Sequence, residues 1–394
     1  MERDRIWTKD FICLLLSNFF VALSFYLLMT SMAVYAIREF GASESSAGLA
    51  ASIFIIGALI ARLFAGKFID VMGRKKMLYS GLILFLFGSV AYLVVANMGL
   101  LMAIRFIHGI GFGISTTVLT TVNMAALPVN RRGEGTGYFS LSTAAGTAIG
   151  PFLALFITSH FSYRAMFVYC MIFSLFALVS PMFAKIDDIH LSKEEKESIR
   201  KSFSFKDFFE KKAIPLSLLM FFCGISYSSI VSFINSYAIE LNLTDAASFF
   251  FVVYAIFLFL GRPIAGKMFD ARGENIVVYP AFVFFALSLF LVAIAKNGFF
   301  LLLAGALLAL GYGTIMSSMQ AVVAKISPPH RLGLAISTFF ICMDGGMGVG
   351  PYILGLIVER FEYQTMYIVL AIAILLLMPA YYFVHGRKAG AKHS

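Results

Sequence analysis

Ionisable side chains are scarce inside the long apolar stretches of this chain, and three stand out. Arg105 and, one turn further on, His108 fall inside the run 100–124, and Asp344 falls near the middle of the run 334–357, just before Gly345-Gly346. A charge is costly in hydrocarbon, so a charge kept there is a functional candidate by default. Asp344 offers a carboxyl that can take up and return a proton; the alternative is a neutral Asp, or a backbone cap at a break in its helix. Arg105 can hold a carboxylate or an anionic solute, or tune a neighbouring proton carrier; the alternative is an arginine reaching for lipid headgroups. His108 carries an imidazole that titrates in the physiological range, or else it packs beside its glycine neighbours.

Nothing else in the chain groups into a reaction centre. The histidines at 108, 160, 190, 330, 385 and 393 are scattered, and Cys13, Cys170, Cys223 and Cys342 stand singly, without CxxC or Cys/His ligand spacing. The cysteines read as small apolar fillers. There is no phosphate-binding GxxxxGK[ST] loop, and Gly109-x-Gly111-x-Gly113 lies in a helical run, not after a strand, so it is no dinucleotide site. No catalytic residue, no metal and no bound cofactor is expected, and an enzyme is excluded.

The elements that must position these charges are membrane helices. Hydrophobic residues make up 60% of the chain and charged residues 13%, with a mean hydropathy of +0.89; soluble domains carry about 25% charged residues. A bilayer span needs about 20 apolar residues. Twelve such runs occur, near 11–37, 46–68, 77–96, 100–124, 136–158, 164–184, 213–237, 246–269, 276–295, 299–324, 334–357 and 364–384. The fold class is therefore all-α and polytopic. With the loops numbered alternately as two sides, one side holds 26 of the 31 Lys and Arg, and the other only Arg38, Arg164, Lys296 and Arg360. By the positive-inside rule both termini are cytoplasmic. That rule also accounts for the net charge of +10, so no nucleic acid partner is expected. The basic start followed by an apolar run is read as an uncleaved first helix.

The chain also contains itself. Gly66-Lys67-Phe68-Ile69-Asp70-Val71-Met72-Gly73-Arg74-Lys75-Lys76 returns, degraded, as Gly266-Lys267-Met268-Phe269-Asp270-Ala271-Arg272-Gly273, an offset of 200 residues. The same shift aligns Arg62 with Arg262, Arg131 with Arg331, Gly133 with Gly333, and Gly146, Gly150 and Pro151 with Gly346, Gly350 and Pro351. One register held this far indicates a duplicated half, a plan known from secondary transporters. The boundaries follow: an amino-terminal six-helix bundle over 1–185, a polar cytoplasmic linker over 186–212, and a carboxyl-terminal bundle over 213–394. Ser192-x-x-Glu195 is a capping-box pattern within the linker, which otherwise reads as a solvated tether, with Phe203, Phe205, Phe208 and Phe209 on the membrane surface.

With these features assembled, the chain resembles a twelve-helix member of the major facilitator superfamily over essentially its whole length. The string from Gly66 to Lys76 is similar to that superfamily's loop motif between helices 2 and 3. The resemblance implies a cytoplasmic gate made of Gly66, Asp70, Gly73, Arg74, Arg131, Gly266, Asp270 and Arg331. Asp70 is then expected at the start of helix 11, near Arg331 and Gly333, and Asp270 at the start of helix 5, near Arg131 and Gly133. Gly137, Gly146, Gly150 and Pro151 resemble the helix 5 motif of the family's exporters, although Ala154-Leu155 stands where two glycines are frequent; Gly346, Gly350 and Pro351 form its copy. A cavity lined by helices 1, 4, 7 and 10 would include Asn18, Tyr26, Tyr227, Asn235 and Gln320, which suit an amphipathic or modestly polar solute.

The expected function is alternating-access efflux of a small amphipathic molecule, coupled to protons through Asp344, Arg105 and His108. Its partners are the lipid bilayer, a small-molecule substrate and protons, its drive is the proton gradient, and its state is a monomer in the cell (inner) membrane. The alternatives are a specific exporter of a sugar, amino acid derivative or opine-type metallophore, a proton-coupled uptake symporter, or a receptor or lipid translocator on the same scaffold.

Overall fold

The computed structural model describes residues 5–42, 44–189, 191–202, 204–358 and 360–390. Among them the chain is helix joined by short turns, with no strand. A bilayer forces this outcome, because backbone polar groups in hydrocarbon must bond within their own segment. Twelve helical stretches are long and apolar enough to cross a membrane, the number and order expected.

In chain order, the first six spans are built on α1 (Lys9–Phe40), α2 (Glu44–Met72), α3 (Arg74–Ala91), α4 (Met98–Ala126), α5 (Arg132–His160) and α6 (Tyr163–Val179). The linker carries α7 (Lys193–Lys201) and α8 (Phe205–Phe208). There follow α9 (Ile214–Glu240), α10 (Thr244–Arg272), α11 (Asn275–Ala293), α12 (Gly298–Leu308), α13 (Thr314–Ile326), α14 (Leu332–Val358), α15 (Tyr363–Tyr381) and a last turn, α16 (Arg387–Gly390). A π-helical turn, Ala309–Gly313, joins α12 to α13 within one span.

Local chemistry sets the helix ends, and the duplication shows in them. The Asn97 side chain accepts the Leu100 amide at 2.9 Å and the Asn297 side chain accepts the Phe300 amide at 3.3 Å, so α4 and α12 start on copies of one cap. Gly73 and Gly273 turn the chain at φ 93° and 85°. That region is open to glycine and strained for other residues, which is why the copied loop keeps glycine at both places.

The helices form two compact units. The first comprises Met1–Leu127, Ser142–Lys211 and Ser327–Ile341, and the second comprises Pro128–Leu141, Lys212–Ile326 and Cys342–Ser394. In the first, α4 packs on α2 and α3, and α6 on α1 and α3. In the second, α11 packs on α15 and α12, and α10 on α12. Small residues make these crossings close, as expected where lipid offers no hydrophobic drive between helices. A Cβ on Gly111 would stand 2.5 Å from the Phe85 backbone nitrogen.

The linker corrects the sequence reading. Ser192 and Glu195 form the capping box, with the Glu195 amide donating to Ser192 Oγ at 3.1 Å and the Ser192 amide to Glu195 Oε2 at 2.8 Å. The segment is docked within the first unit, however, and is no solvated tether. Lys67 Nζ of α2 donates to the Ser202 carbonyl and stands 4.5 Å from the centroid of the Phe208 ring, which meets Phe64 edge-on. Phe208 therefore packs on α2 instead of lying on the membrane surface, and Glu210 is buried. Phe203 and the side chain of Phe205 lie outside the described residues.

The close crossing makes a prediction. Gly111→Ala should destabilise the protein by roughly 1–3 kcal/mol, the usual penalty of forced overpacking. Gly348→Ala, at a site with nothing within 4 Å of the new methyl, should leave the melting temperature in detergent unchanged. Equal melting temperatures for the two variants would show that the α3–α4 crossing yields freely.

Candidate functional site

The copied loop motif places an acid at the last turn of α2 and another at the last turn of α10. In the second unit the Asp270 carboxylate accepts two backbone N–H groups at the start of α5, Gly133 at 2.8 Å and Glu134 at 2.7 Å. These are among the donors a helix cannot satisfy itself, and they sit at its positive end, so a carboxylate there is held by both hydrogen bonding and charge. Glycine makes the approach possible, since a Cβ on Gly266 would stand 2.8 Å from the Glu134 Cα. Arg131 does not meet Asp270. Its Nε and Nη2 donate to Glu134 Oε2 at 3.0 and 2.7 Å, and Lys267 Nζ lies 3.9 Å from the other Glu134 oxygen.

The first unit uses the same backbone crossing with different side chains. The start of α14 lies against the end of α2: a Cβ on Gly66 would stand 2.7 Å from Ser337 Oγ, Ser337 Oγ donates to the Arg62 carbonyl, and Ile69 meets Gly333. Asp70, buried where its copy Asp270 is half-buried, does not cap α14, contrary to the sequence reading. Arg74 Nε, one turn on, donates to Asp70 Oδ1 at 3.0 Å. Arg331 is bound by Glu210 of the linker. The physical reason is visible in the repeat. Position 74 is a cation that takes Asp70 at i+4, whereas position 274 is an acid that leaves Asp270 for the backbone.

Glu274 is itself neutralised. Its two oxygens meet Lys325 Nζ at 3.0 Å and His385 Nε2 at 2.9 Å. Burial works against its charged form, but the hydrogen bonds from His385 and Lys325 outweigh it and hold the pKa at about 2. Asp270, Lys325 and Arg132 line a cavity of about 190 Å³ on the same side.

The charges inside the spans are placed as follows. Arg105 is fully buried, with Nε donating to the Ala50 carbonyl at 2.8 Å and the guanidinium 4.8 Å from the Phe54 ring centroid, so it does not reach the headgroups. His108 is also fully buried, its ring nitrogens bonded to Ser89 Oγ at 3.1 Å and Tyr92 OH at 3.2 Å and its face on Phe85. Ser89 Oγ continues to Ser174 Oγ at 2.7 Å. His108 thus sits in a buried polar network with Ser89 of α3, Tyr92 just beyond it and Ser174 of α6. Ser89, Tyr92 and Ser174 were not foreseen, because lone small polar residues in a span carry no spacing signal.

Asp344 is half-buried on α14, which runs unbroken from Leu332 to Val358, so the break considered above is absent. Gly346 and Gly350 face Phe221 and Ser228 of α9, as Gly146 and Gly150 face Ala22 and Tyr26 of α1. At ~100° per residue Asp344 projects from the side of α14 away from α9. Gly137, further up α5, meets the Arg262 carbonyl of α10. Pro151 and Pro351 sit inside continuous helices.

The cavity candidates divide between the units. In the first, Asn18 is buried and donates to Ser142 Oγ at 2.8 Å and Thr143 Oγ1 at 2.9 Å, and Tyr26 is half-buried against Phe25. In the second, Gln320 is buried, and Tyr227 stacks on Tyr312 with centroids 4.0 Å and planes 6° apart. The side chain of Asn235 lies outside the described residues. Tyr312, which the sequence reading missed, is carried by the π-helical turn and directs its hydroxyl at Met347 Sδ, 3.9 Å away.

A family model described as Major Facilitator Superfamily matches residues 14–294 and 216–394. The chain belongs to the major facilitator superfamily. It is 23% identical over 358 residues to the staphylopine export protein of Staphylococcus aureus, covering 86% of this chain and 87% of that one. It is 26% identical over 372 residues to the multi-drug resistance efflux pump PmrA of Streptococcus pneumoniae, covering 89% of each. Its fold matches the crystal structure of the human organic anion transporter MFSD10 with a TM-score of 0.76 at 14% identity, over 96% of this chain and 99% of the other. The superfamily chain is thus a multi-pass membrane protein and a secondary transporter, not an enzyme.

Two outcomes follow from the acid sites. Asp270→Ala should destabilise the protein by about 1–2 kcal/mol, the range for a lost helix cap, and Asp270→Asn, which keeps one acceptor oxygen, by less; equal effects in chemical unfolding would show that charge and geometry do not matter there. The Glu274 carboxylate has a folded pKa below its ordinary value of 4.5, so its contribution is complete above that value and is lost as the pH falls towards about 2. Glu274→Gln should therefore lower the melting temperature at neutral pH, with the gap to the parent protein narrowing below pH 4.5; a gap that does not change with pH would contradict this.

Proposed function

We propose that this transporter is a proton-coupled exporter of a small amphipathic molecule, working by alternating access in the cell membrane with both termini in the cytoplasm. The observation that carries the alternating-access part is the Asp270 carboxylate on the Gly133 and Glu134 amides. A helix start held by a side chain from the other sequence half is a contact that can be made and released as a unit, which is what a two-state gate requires. The excess of Lys and Arg on one loop side supports the orientation.

Export is supported by the glycine pattern of α5 and by the similarity to the staphylopine export protein and to the efflux pump PmrA. Coupling is assigned to Asp344, the acid that projects from α14 away from α9, with the proton gradient as drive and no bound cofactor. Arg105, buried on the Ala50 carbonyl, is a supporting cation and not a group that meets solute. A specific metabolite exporter is the second reading, favoured by the similarity to the staphylopine export protein.

Purified protein in sealed proteoliposomes, with a pH dye inside and an imposed gradient, tests the reading. A panel of amphipathic solutes should include at least one whose movement is opposite to the proton flux. Asp344→Asn should abolish the solute-dependent proton movement, about tenfold or more, while leaving insertion and melting temperature intact. Proton movement in the same direction as the solute would overturn export, and coupled flux retained in Asp344→Asn would remove Asp344 from the role.

A further inference from the structure

The two copies of the gate are built unequally, and the linker makes up the difference. In the second unit Arg131 precedes α5 and finds its acid three residues on, at Glu134. The copy of Glu134 at the offset of 200 is Leu334, so Arg331, before α14, lacks that acid on its own helix. Arg331 Nε instead donates to Glu210 Oε2. Glu210 comes from the segment that the sequence reading took for a tether. Its side chain is 6% exposed, and its backbone amide donates to Thr338 Oγ1 of α14 at 2.9 Å. The acid is thus fixed at two points, one on its carboxylate and one on its backbone.

The segment before Glu210 is fixed to the other partner of the crossing. Lys67 of α2 holds the Ser202 carbonyl and stands over the Phe208 ring. The Ser202 hydroxyl and the Ser204 amide both donate to Asp207 Oδ2 at 2.6 Å, closing the turn that leads to α8. Residue 202 and residues 204–210 therefore tie the end of α2 to the start of α14, beside the place where Asp70 pairs with Arg74.

We propose that Glu210 is a structural member of the first-unit gate, the acid that replaces the one missing at position 334 and holds the start of α14 on α2 through the linker. The proposal rests on the alternating-access reading only for its consequence, that the linker must release α14 when the α2–α14 crossing parts. The contact itself is tested without transport.

The measurement is amide hydrogen exchange of the full chain in lipid nanodiscs, read on peptides covering 332–338 and 132–138. Glu210→Gln should speed exchange of the α14 segment by about three- to tenfold, as local opening becomes easier, with the α5 segment unchanged. Adding Leu334→Glu to Glu210→Gln should restore slow exchange, because it gives Arg331 the i+3 acid that Arg131 already has. Unchanged exchange in Glu210→Gln, or a double variant that does not recover, overturns the proposal. If Glu210→Gln lowers the melting temperature globally, the charge exchange Glu210→Arg with Arg331→Glu must recover both melting temperature and slow exchange, and failure to do so also overturns it. Neither substrate nor gradient enters this experiment, so a failed proton-flux assay and a failed exchange test are separate results.

Discussion

The structure depends on two close crossings in which a helix carrying the copied loop motif lies on the start of a helix from the other sequence half. At each, a glycine of the motif, Gly66 or Gly266, brings one backbone within contact of another, where a methyl group would already collide. In hydrocarbon such contact distances replace hydrophobic burial as the source of helix association. The crossings also bring helix N-termini, with their unsatisfied N–H groups and partial positive charge, within reach of acids on the neighbouring element. Asp270 on Gly133 and Glu134 uses that opportunity fully.

The two crossings share a backbone and differ in their electrostatics. The difference traces to two positions where the duplicated sequence has diverged, Arg74 against Glu274 and Leu334 against Glu134. Each divergence redirects a neighbouring side chain. Arg74 takes Asp70 away from the helix end, and Leu334 leaves Arg331 to be met by Glu210. Glu274, in turn, is balanced by Lys325 and His385, which have no counterpart in the first half, where Ala125 and Lys185 stand. Pseudo-symmetry in a membrane transporter is thus a property of the backbone, over which charge networks are free to differ.

Span number, order and charge bias were legible because bilayer thickness and the cost of buried charge act on each residue independently of its neighbours. The backbone part of the site was legible for a related reason. Glycine at 73 and 273 answers a local demand on φ, and the glycines of α5 and α14 answer a local demand for space. What escaped reading depends on which atoms meet in three dimensions. The polar network around His108 joins residues of three helices, Ser89, His108 and Ser174, with no mutual spacing in the chain. Docking of residues 202 and 204–210 was hidden for a different reason: a polar, mixed-charge composition is shared by free tethers and by segments whose polar groups are answered elsewhere, here by Lys67 and Arg331.

The Ala309–Gly313 turn holds one residue more than regular helix would. That surplus acts as a phase shift, rotating α13 relative to α12 by about 100° from where an unbroken α-helix would set it. The stacked tyrosine pair, 227 and 312, is built at this dislocation. The extra residue thereby sets the direction in which α13 presents Gln320, whereas the corresponding first-half span, α helix throughout from Met98 to Ala126, carries no such shift.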